Sequence, residues 1–256
     1  MTFRLSTGLR NQLAKQGSID ALFRNGRIEI YSGAQPSSPD AAVAGTLLCT
    51  ITNNSGAYTA ETAATGTVTL SGSAGSVNTV TVNSVDILLG AVAFDSTLTQ
   101  TAADVATQIN RNSDKSGYNA TSSGAVVTIA ANAGAGTGPN TFVVSATLTT
   151  MTATYSNMSG GVAPVNGLSF DVASAGAMNK LATQTWSGVN AASGTAGWFR
   201  QYGSLTDTGV LDSTGVFPRI DGAIATSGAE MNLTSTALTS GATTTISAWT
   251  ITVPAQ

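Results

Sequence analysis

The chain opens with apolar residues at helical spacing and then changes period. Leu9 and Leu13 recur four apart behind Ser6, and Ile19, Leu22 and Phe23 follow behind Ser18. The spacing predicts two short helices over residues 6–26, capped by Ser6 and Ser18 and stopped by Gly17 and Gly26. In RIEIYSG the period becomes two. Ile28 and Ile30 point one way and Arg27, Glu29 and Tyr31 the other, the pattern of a half-buried strand. AQPSSPD is a loop, with Pro36 and Pro39 excluding regular structure, and GTLLCTIT is a second strand.

Near Thr65 the texture shifts. Short alternating runs predict strands at Thr67 to Leu70, Thr79 to Val82 and Val85 to Leu88. LTQTAADVATQINRN then predicts one helix. Thr99 or Thr101 is its expected cap, Asp104 falls in its first turn, and Arg111 suits its C-terminal end. Ala102, Val105, Ala106 and Ile109 form its apolar stripe. YNATSSGAVVTIAANAG, TFVVSATL and TATYSNMSGG return to strand. GSAGS and AGAGTGPN lack the GK[ST] ending of a phosphate loop and read as flexible hairpin loops.

After Gly161 the first style resumes, with strands expected at Leu168 to Asp171, Gln184 to Gly188 and Ala196 to Tyr202. A run of short strands follows, the last closed by Pro254. Trp186, Trp198 and Trp249 all lie in this part. The shared texture of the two flanks predicts an insertion rather than three consecutive units: a discontinuous outer domain at 1–64 and 163–256, interrupted by an inserted domain at 65–162. The predicted fold is mainly β. The outer domain is a β-sandwich or jelly-roll-like body with short N-terminal helices, and the insert is a small α+β domain containing one helix.

Composition narrows the chemistry. Of 256 residues only 9% are charged, against about 25% in ordinary domains. With 42% apolar residues the chain has enough hydrophobic material for a core, so the low charge does not signal disorder. A net charge of −3 argues against a nucleic-acid partner. There is no histidine and one cysteine, Cys49, expected as a buried apolar side chain in its strand. Disulfides, Cys/His zinc sites and histidine-based nucleophile triads are therefore excluded within one chain. Lys15, Lys115 and Lys180 sit in no Ser-Lys motif, and the acids are scattered. Asp40, Asp207, Asp212 and Asp221 all read as turn-stabilising residues that hydrogen-bond their own backbone. No cofactor, metal or catalytic residue is expected. MTFRLSTGLR lacks the apolar run of a secretory leader, and ILLGAVAF is too short for a membrane span. Synthesis in a cytoplasm and no membrane partner are the expectation.

GWFRQYG places Trp198 with Arg200 on one face of a strand and Phe199 with Gln201 on the other. A core strand is the expected reading, a sugar or partner platform the sharper one. Tyr118 and Tyr155 are the candidate exposed aromatics of the insert.

LSTGLRN, EIYSGAQPSSPDAAVAGTLLCTI, GWFRQYG and IDGAIATSGAEMNLTSTALTSGATTTISAWTITVPA together resemble a group of tailed-bacteriophage virion proteins, over about residues 1–62 and 163–256. SAGSVNTVTVNSVDILLGAVAF and TAADVATQINRN resemble a small domain inserted in assorted phage structural and tail proteins. The resemblance implies a non-enzymatic, multi-copy particle component found in the virion. The first expectation is a capsid decoration (cement) protein that binds the major capsid protein, or other neighbouring virion proteins, on the head exterior and forms a homo-oligomer. A tail or head–tail connector subunit is the alternative. A carbohydrate-binding or host-adhesion module, meeting a host glycan through the insert, is a further one.

One feature suggests where docking occurs. Arg4, Arg10, Lys15, Arg24 and Arg27 stand against Asp20 alone in the first 27 residues, a local charge of +4. Two readings are open: a lid over the outer domain's own core, or a basic hook laid on an acidic neighbour. In the second, Arg4, Arg10 and Lys15 supply charge, and Leu5, Leu9 and Leu13 the apolar contact.

Overall fold

The computed structural model describes residues 3–15 and 17–252. The chain divides into two compact units, an outer unit of Met1–Glu61 with Pro164–Gln256 and an inserted unit of Thr62–Ala163. Both are built mainly of antiparallel β-structure. No helix among the described residues is long and apolar enough to cross a membrane.

The outer unit begins with strand β1 (Arg4–Leu5), helix α1 (Thr7–Ala14), helix α2 (Ile19–Phe23), strand β2 (Arg27–Ser32) and strand β3 (Leu47–Asn53). Ser6 and Ser18 cap the helices, their hydroxyls accepting from the backbone N–H groups of Leu9 and Ala21. Gly17 donates back to the Gln12 carbonyl after α1. Gly26 is needed for a different reason from helix ending: a Cβ there would lie 2.0 Å from the Tyr202 carbonyl oxygen, so only glycine lets the two backbones meet.

In the inserted unit, strands β4 (Thr65–Ser71), β5 (Ser76–Val82), β6 (Val85–Asp86) and β7 (Val92–Ala93) precede helix α3 (Leu98–Arg111) and the single-turn helix α4 (Ser113–Ser116). Strands β8 (Tyr118–Ser123), β9 (Val126–Ala131), β10 (Val144–Thr149) and β11 (Thr152–Ser159) follow. They form two four-stranded sheets, one ordered β10-β5-β6 with β7 on β5, the other β11-β4-β9-β8. The glycine-rich stretches GSAGS and AGAGTGPN therefore carry the chain from one sheet to the other and are not hairpin loops; β4 does not pair with β5, nor β9 with β10.

Helix α3 carries the expected stripe, with Ala102, Val105, Ala106 and Ile109 buried. Its cap differs from expectation. Thr97, not Thr99 or Thr101, accepts from the Gln100 N–H, and Thr101 donates its hydroxyl to the Thr97 carbonyl. The helix thus starts earlier than predicted, and Asp104 falls in its second turn, where it accepts from the Gln100 amide. α4 is an additional turn beyond the one helix expected. The predicted strand to Leu88 stops at Asp86, whose carboxylate takes the Leu88 N–H.

The chain returns to the outer unit with β12 (Ala177–Asn179), β13 (Trp186–Val189), β14 (Gly194–Tyr202), β15 (Arg219–Ala225), β16 (Met231–Asn232), β17 (Ala237–Leu238), β18 (Thr243–Ile246) and β19 (Thr250–Thr252). Leu168 to Asp171 is not a strand. Its backbone bonds go to Gly26 on one side and to Asn179 on another, so no continuous ladder forms. Pro254 lies outside the described residues. The outer strands form one nine-stranded sheet, ordered β1-β15-β14-β2-β3-β13-β18 with β16 on β15 and β17 on β14. A two-stranded sheet, β12-β19, completes the unit. The outer unit is thus mainly β, as expected, with most of its strands in one sheet.

One face of the large sheet is apolar. Ile28, Ile30, Ile51, Phe199 and Ile220 are fully buried and share a core with Leu9, Phe23, Trp186 and Trp249. Phe199 meets Trp249 edge to face at 5.0 Å, and Phe170 meets Trp186 in the same way at 5.4 Å. Cys49 is buried here as expected, and burial pushes its thiol up to about 11. A thiol held that high is almost wholly protonated at neutral pH and inert.

Candidate functional site

The opposite face of the same sheet is also buried, and it is charged. Alternation along β2, β14 and β15 turns Arg27, Glu29, Tyr31, Trp198, Arg200, Tyr202, Arg219 and Asp221 away from the apolar core. The register assembles them into rows. Arg200 sits between Glu29 and Asp221, Tyr202 between Arg27 and Arg219, and Trp198 between Tyr31 and Ala223. RIEIYSG is therefore not half-buried as predicted. β2 is a central strand, and its second face is closed off by the irregular 33–46 and 203–218 segments, whose carbonyls it binds.

Three guanidinium groups organise this layer. Arg200 grips Asp221 with two parallel bonds of 2.7 Å, both side chains fully buried, and donates a third to the Ala41 carbonyl at 2.9 Å. Arg219 grips Asp207 in the same fork, again at 2.7 Å, and also donates to the carbonyls of Pro39 and Val210. Arg27 pairs with Glu29 at 2.6 Å and donates to the Asp207 carbonyl. A guanidinium carries five donors in a fixed plane, so each one neutralises a carboxylate and still satisfies loop carbonyls.

Aromatic rings fill the space between the charges. Tyr31 stacks on Trp198 at 4.6 Å and 14°. The Arg27 guanidinium lies 4.2 Å from the centre of the Tyr202 ring, and that of Arg200 lies 5.4 Å from Trp198. Burial, then the Glu29 charge, drives the Tyr31 phenol well above its ordinary pKa; it stays neutral and donates to Glu29. Burial alone would lower the Arg200 pKa, but the hydrogen bonds and charge of Asp221 outweigh it and the net shift is upward.

The aspartates divide into two groups. Asp212 is a turn residue, as predicted. Its carboxylate accepts the N–H groups of Thr214, Gly215, Val216 and Phe217 and the Thr214 hydroxyl. Asp40 accepts from the N–H and hydroxyl of Thr7, at the start of α1. Asp207 accepts the Gly209 N–H but is also the partner of Arg219. Asp221 is not in a turn at all; it lies inside β15 and belongs to an ion pair.

The six predicted docking residues do not form one surface. Leu9 is fully buried in the outer core and Leu13 packs against it. Arg4, Leu5, Arg10 and Lys15 are exposed. Arg4 donates to the Pro36 carbonyl from the edge strand β1. Arg24 pairs with Asp20, and Arg27 belongs to the buried layer. Gly8 presses on Phe217, where a Cβ would lie 2.4 Å from the carbonyl oxygen, so α1 is fastened to the 203–218 segment. The N-terminal stretch closes its own unit's core, and Leu9 offers nothing to a partner.

Trp198 and Phe199 are both fully buried and form no sugar platform. In the insert Tyr118 is buried against α3's core, while Tyr155 is exposed. No group of three or more His, Cys, Asp or Glu among the described residues could hold a metal ion. Sequence reasoning missed the arginine layer. Its signal is the placement of Arg200, Arg219 and Asp221 within alternating strands of a chain that has few charges to place. Comparison of the chain with protein-family models, with curated proteins and with solved structures gives no match.

Proposed function

We propose that this chain is a non-enzymatic structural subunit of a tailed-bacteriophage particle, acting as a capsid decoration protein bound to the major capsid protein on the head exterior. One observation carries the physical side of this reading: the chemically capable residues of the outer unit are spent on one another. Arg27, Arg200 and Arg219 are locked to carboxylates and loop carbonyls, so the charges serve to hold irregular loops in one shape. What faces outward is poor in charge and rich in hydroxyls, and little charge desolvation opposes close packing against a neighbour. Loops held in advance lose little entropy on docking. The identity of the particle comes from the resemblance of both flanks to phage virion proteins.

The test is reconstitution. Purified chain added to particles that lack it is expected to bind their heads and raise their disassembly temperature. Absence of binding at about micromolar concentration, a level that specific structural contacts exceed, overturns the reading. Labelling confined to the tail replaces it with the tail-subunit alternative.

A further inference from the structure

Strand β18 ends the large sheet on one side, and its outer edge is open. The bonding of the strands inboard of it shows which groups lie there. The Thr185 carbonyl accepts the Asn54 N–H, so Thr185 and Ser187 bond toward β3. Trp186 and Gly188 therefore bond toward β18, where they meet Ile246 and Thr244. The Asn190 N–H keeps the same alternation and donates to the Ala242 carbonyl. This uses the backbone groups of Thr244 and Ile246 and turns those of Thr243 and Thr245 outward. Neither outward N–H has a hydrogen-bond partner among the described residues.

Other edges in the chain are closed by specific groups. On β8 the Asn110 side chain takes both the N–H and the carbonyl of Ala120, as a neighbouring strand would. On β10 the Tyr155 hydroxyl donates to the Ala146 carbonyl, and the Asn157 side chain accepts the Val144 N–H. Beside β12 the Asp171 N–H donates to the Asn179 carbonyl. β1 is two residues long and carries Arg4. β18 has no such device. It contains no proline, and its register with β13 runs without a bulge. No charged residue lies in β18, β13 or β3, nor anywhere in residues 231–256. An edge without charge, proline or bulge is a template for a further strand.

We infer that β18 pairs with β18 of a second copy, antiparallel about a two-fold axis at Thr244, so that the large sheet continues from one copy into the other. The register commits the edge to its own copy. Set antiparallel around Thr244, Thr243 of each copy faces Thr245 of the other, and every outward N–H and carbonyl of both strands is paired. The side chains match as well. Thr243 and Thr245 are both exposed, and threonines opposite each other across strands already bond within this chain, Thr79 with Thr147 at 2.7 Å. Identical strands meet here without charge repulsion, whereas the same pairing at β1 would bring two Arg4 side chains together. A groove lined by Leu233, Ser235, Leu238 and residues 243–245 lies beside the edge and leaves room for the arriving strand. A contact this short is weak by itself and gains strength when many copies are held side by side. The inference deepens the structural-subunit reading. It is tested by pairing in solution, whereas that reading is tested by particle binding, so either can fail alone.

The experiment is sedimentation of the full chain with two double variants, Thr243→Lys with Thr245→Lys and Thr243→Glu with Thr245→Glu, after confirming that each melts like the wild type. Thr245→Pro, which removes one outward N–H and spares the ladder to β13, replaces a variant that does not. Wild type is expected to dimerise with concentration up to about 100 µM, in the range of weak specific contacts. Each double variant alone should dimerise about tenfold less, since like charges then face each other. Mixed together they should form a one-to-one dimer, because lysine meets glutamate at both positions. Amide exchange locates the contact: the Thr243 and Thr245 N–H groups should slow as wild type is concentrated, while that of Thr244, already bonded to β13, should not change. A wild type that stays monomeric overturns the inference. So does a lysine variant that dimerises normally, a mixture that shows no dimer, or a dimer that leaves the Thr243 and Thr245 amides unprotected.

Discussion

In the outer unit three arginines lie inside the fold; in the inserted unit both basic residues, Arg111 and Lys115, stand at its surface. All four ion pairs among the described residues belong to the outer unit. The difference follows from what covers each sheet. Helix α3 covers β8 and β9 in the insert, and its backbone groups are already paired, so aliphatic side chains suffice. The large outer sheet has one face covered by irregular segments. Those bring the unpaired carbonyls of Pro39, Ala41, Asp207 and Val210 into the interior. Buried carbonyls need donors, and a guanidinium is the one side chain that supplies several donors in a plane while its charge is cancelled by a carboxylate. A chain with few charges has placed them where loops must be buried.

The greatest loss of stability follows from removing one partner of a buried pair. Asp221→Ala leaves the Arg200 charge buried and unmatched. A loss of about 3–5 kcal/mol is expected in urea unfolding, while Arg111→Ala in the insert should stay within about 0.5 kcal/mol. Arg200→Met with Asp221→Leu removes both charges and should recover most of the loss. It still deprives the Ala41 carbonyl of its donor, so amide exchange in the 33–46 segment should quicken in the double variant. If the double variant is as unstable as Asp221→Ala, the pair does more than hold loops and the contrast with the insert is wrongly drawn.

A smaller effect is expected at Asp212, which holds a loop without an arginine. Burial pushes its carboxyl upward, but the Phe217 N–H, the Thr214 hydroxyl and the neighbouring N–H groups outweigh it, and the net shift is downward. A carboxyl with a lowered pKa in the folded state contributes stability that is present above the ordinary value of about 3.9. That contribution is lost as pH falls through the lower, folded value. Asp212→Asn is therefore expected to cost about 1–2 kcal/mol at neutral pH, and the gap from wild type should close in strong acid. Urea denaturation from neutral pH downward measures it, and a gap that persists unchanged in strong acid rejects the account.

How much of this was legible depended on the period of each segment. The stripe of α3 and the alternation of Ile28 with Ile30 could be read because they concern one element and its nearest face. The boundary residues were less visible: three threonines precede or open α3, and the choice of Thr97 rests on which hydroxyl meets the Gln100 N–H. The arginine layer was out of reach for a larger reason. Arg200 and Asp221 are 21 positions apart and become neighbours only because β14 pairs with β15, while Arg27 and Asp207 are 180 apart and meet only because the 203–218 segment folds over β2. An aspartate beside a glycine, as in IDG, reads as a turn until the strand that contains it is known. The N-terminal charge excess left both a lid and a docking hook open, and it did not reveal that Arg27 turns inward with its strand and Leu9 with its helix.

The smallest effect lies on the surface of the insert, where cross-strand bonds are made by hydroxyls. Thr79 meets Thr147 and Thr81 meets Ser145, both at 2.7 Å and exposed. Water competes for these groups, so each pair should be worth only about 0.2–1 kcal/mol. A double-mutant cycle of Thr79→Val and Thr147→Val isolates that coupling, since valine keeps the shape and the strand preference while removing the hydroxyl. A coupling in this range leaves apolar burial as the main support of the insert and keeps it distinct from the outer unit. A coupling as large as that of Arg200 with Asp221 would mean that both units rest on polar pairs, one inside and one outside. The loop-covered face would then cease to explain where the charges went.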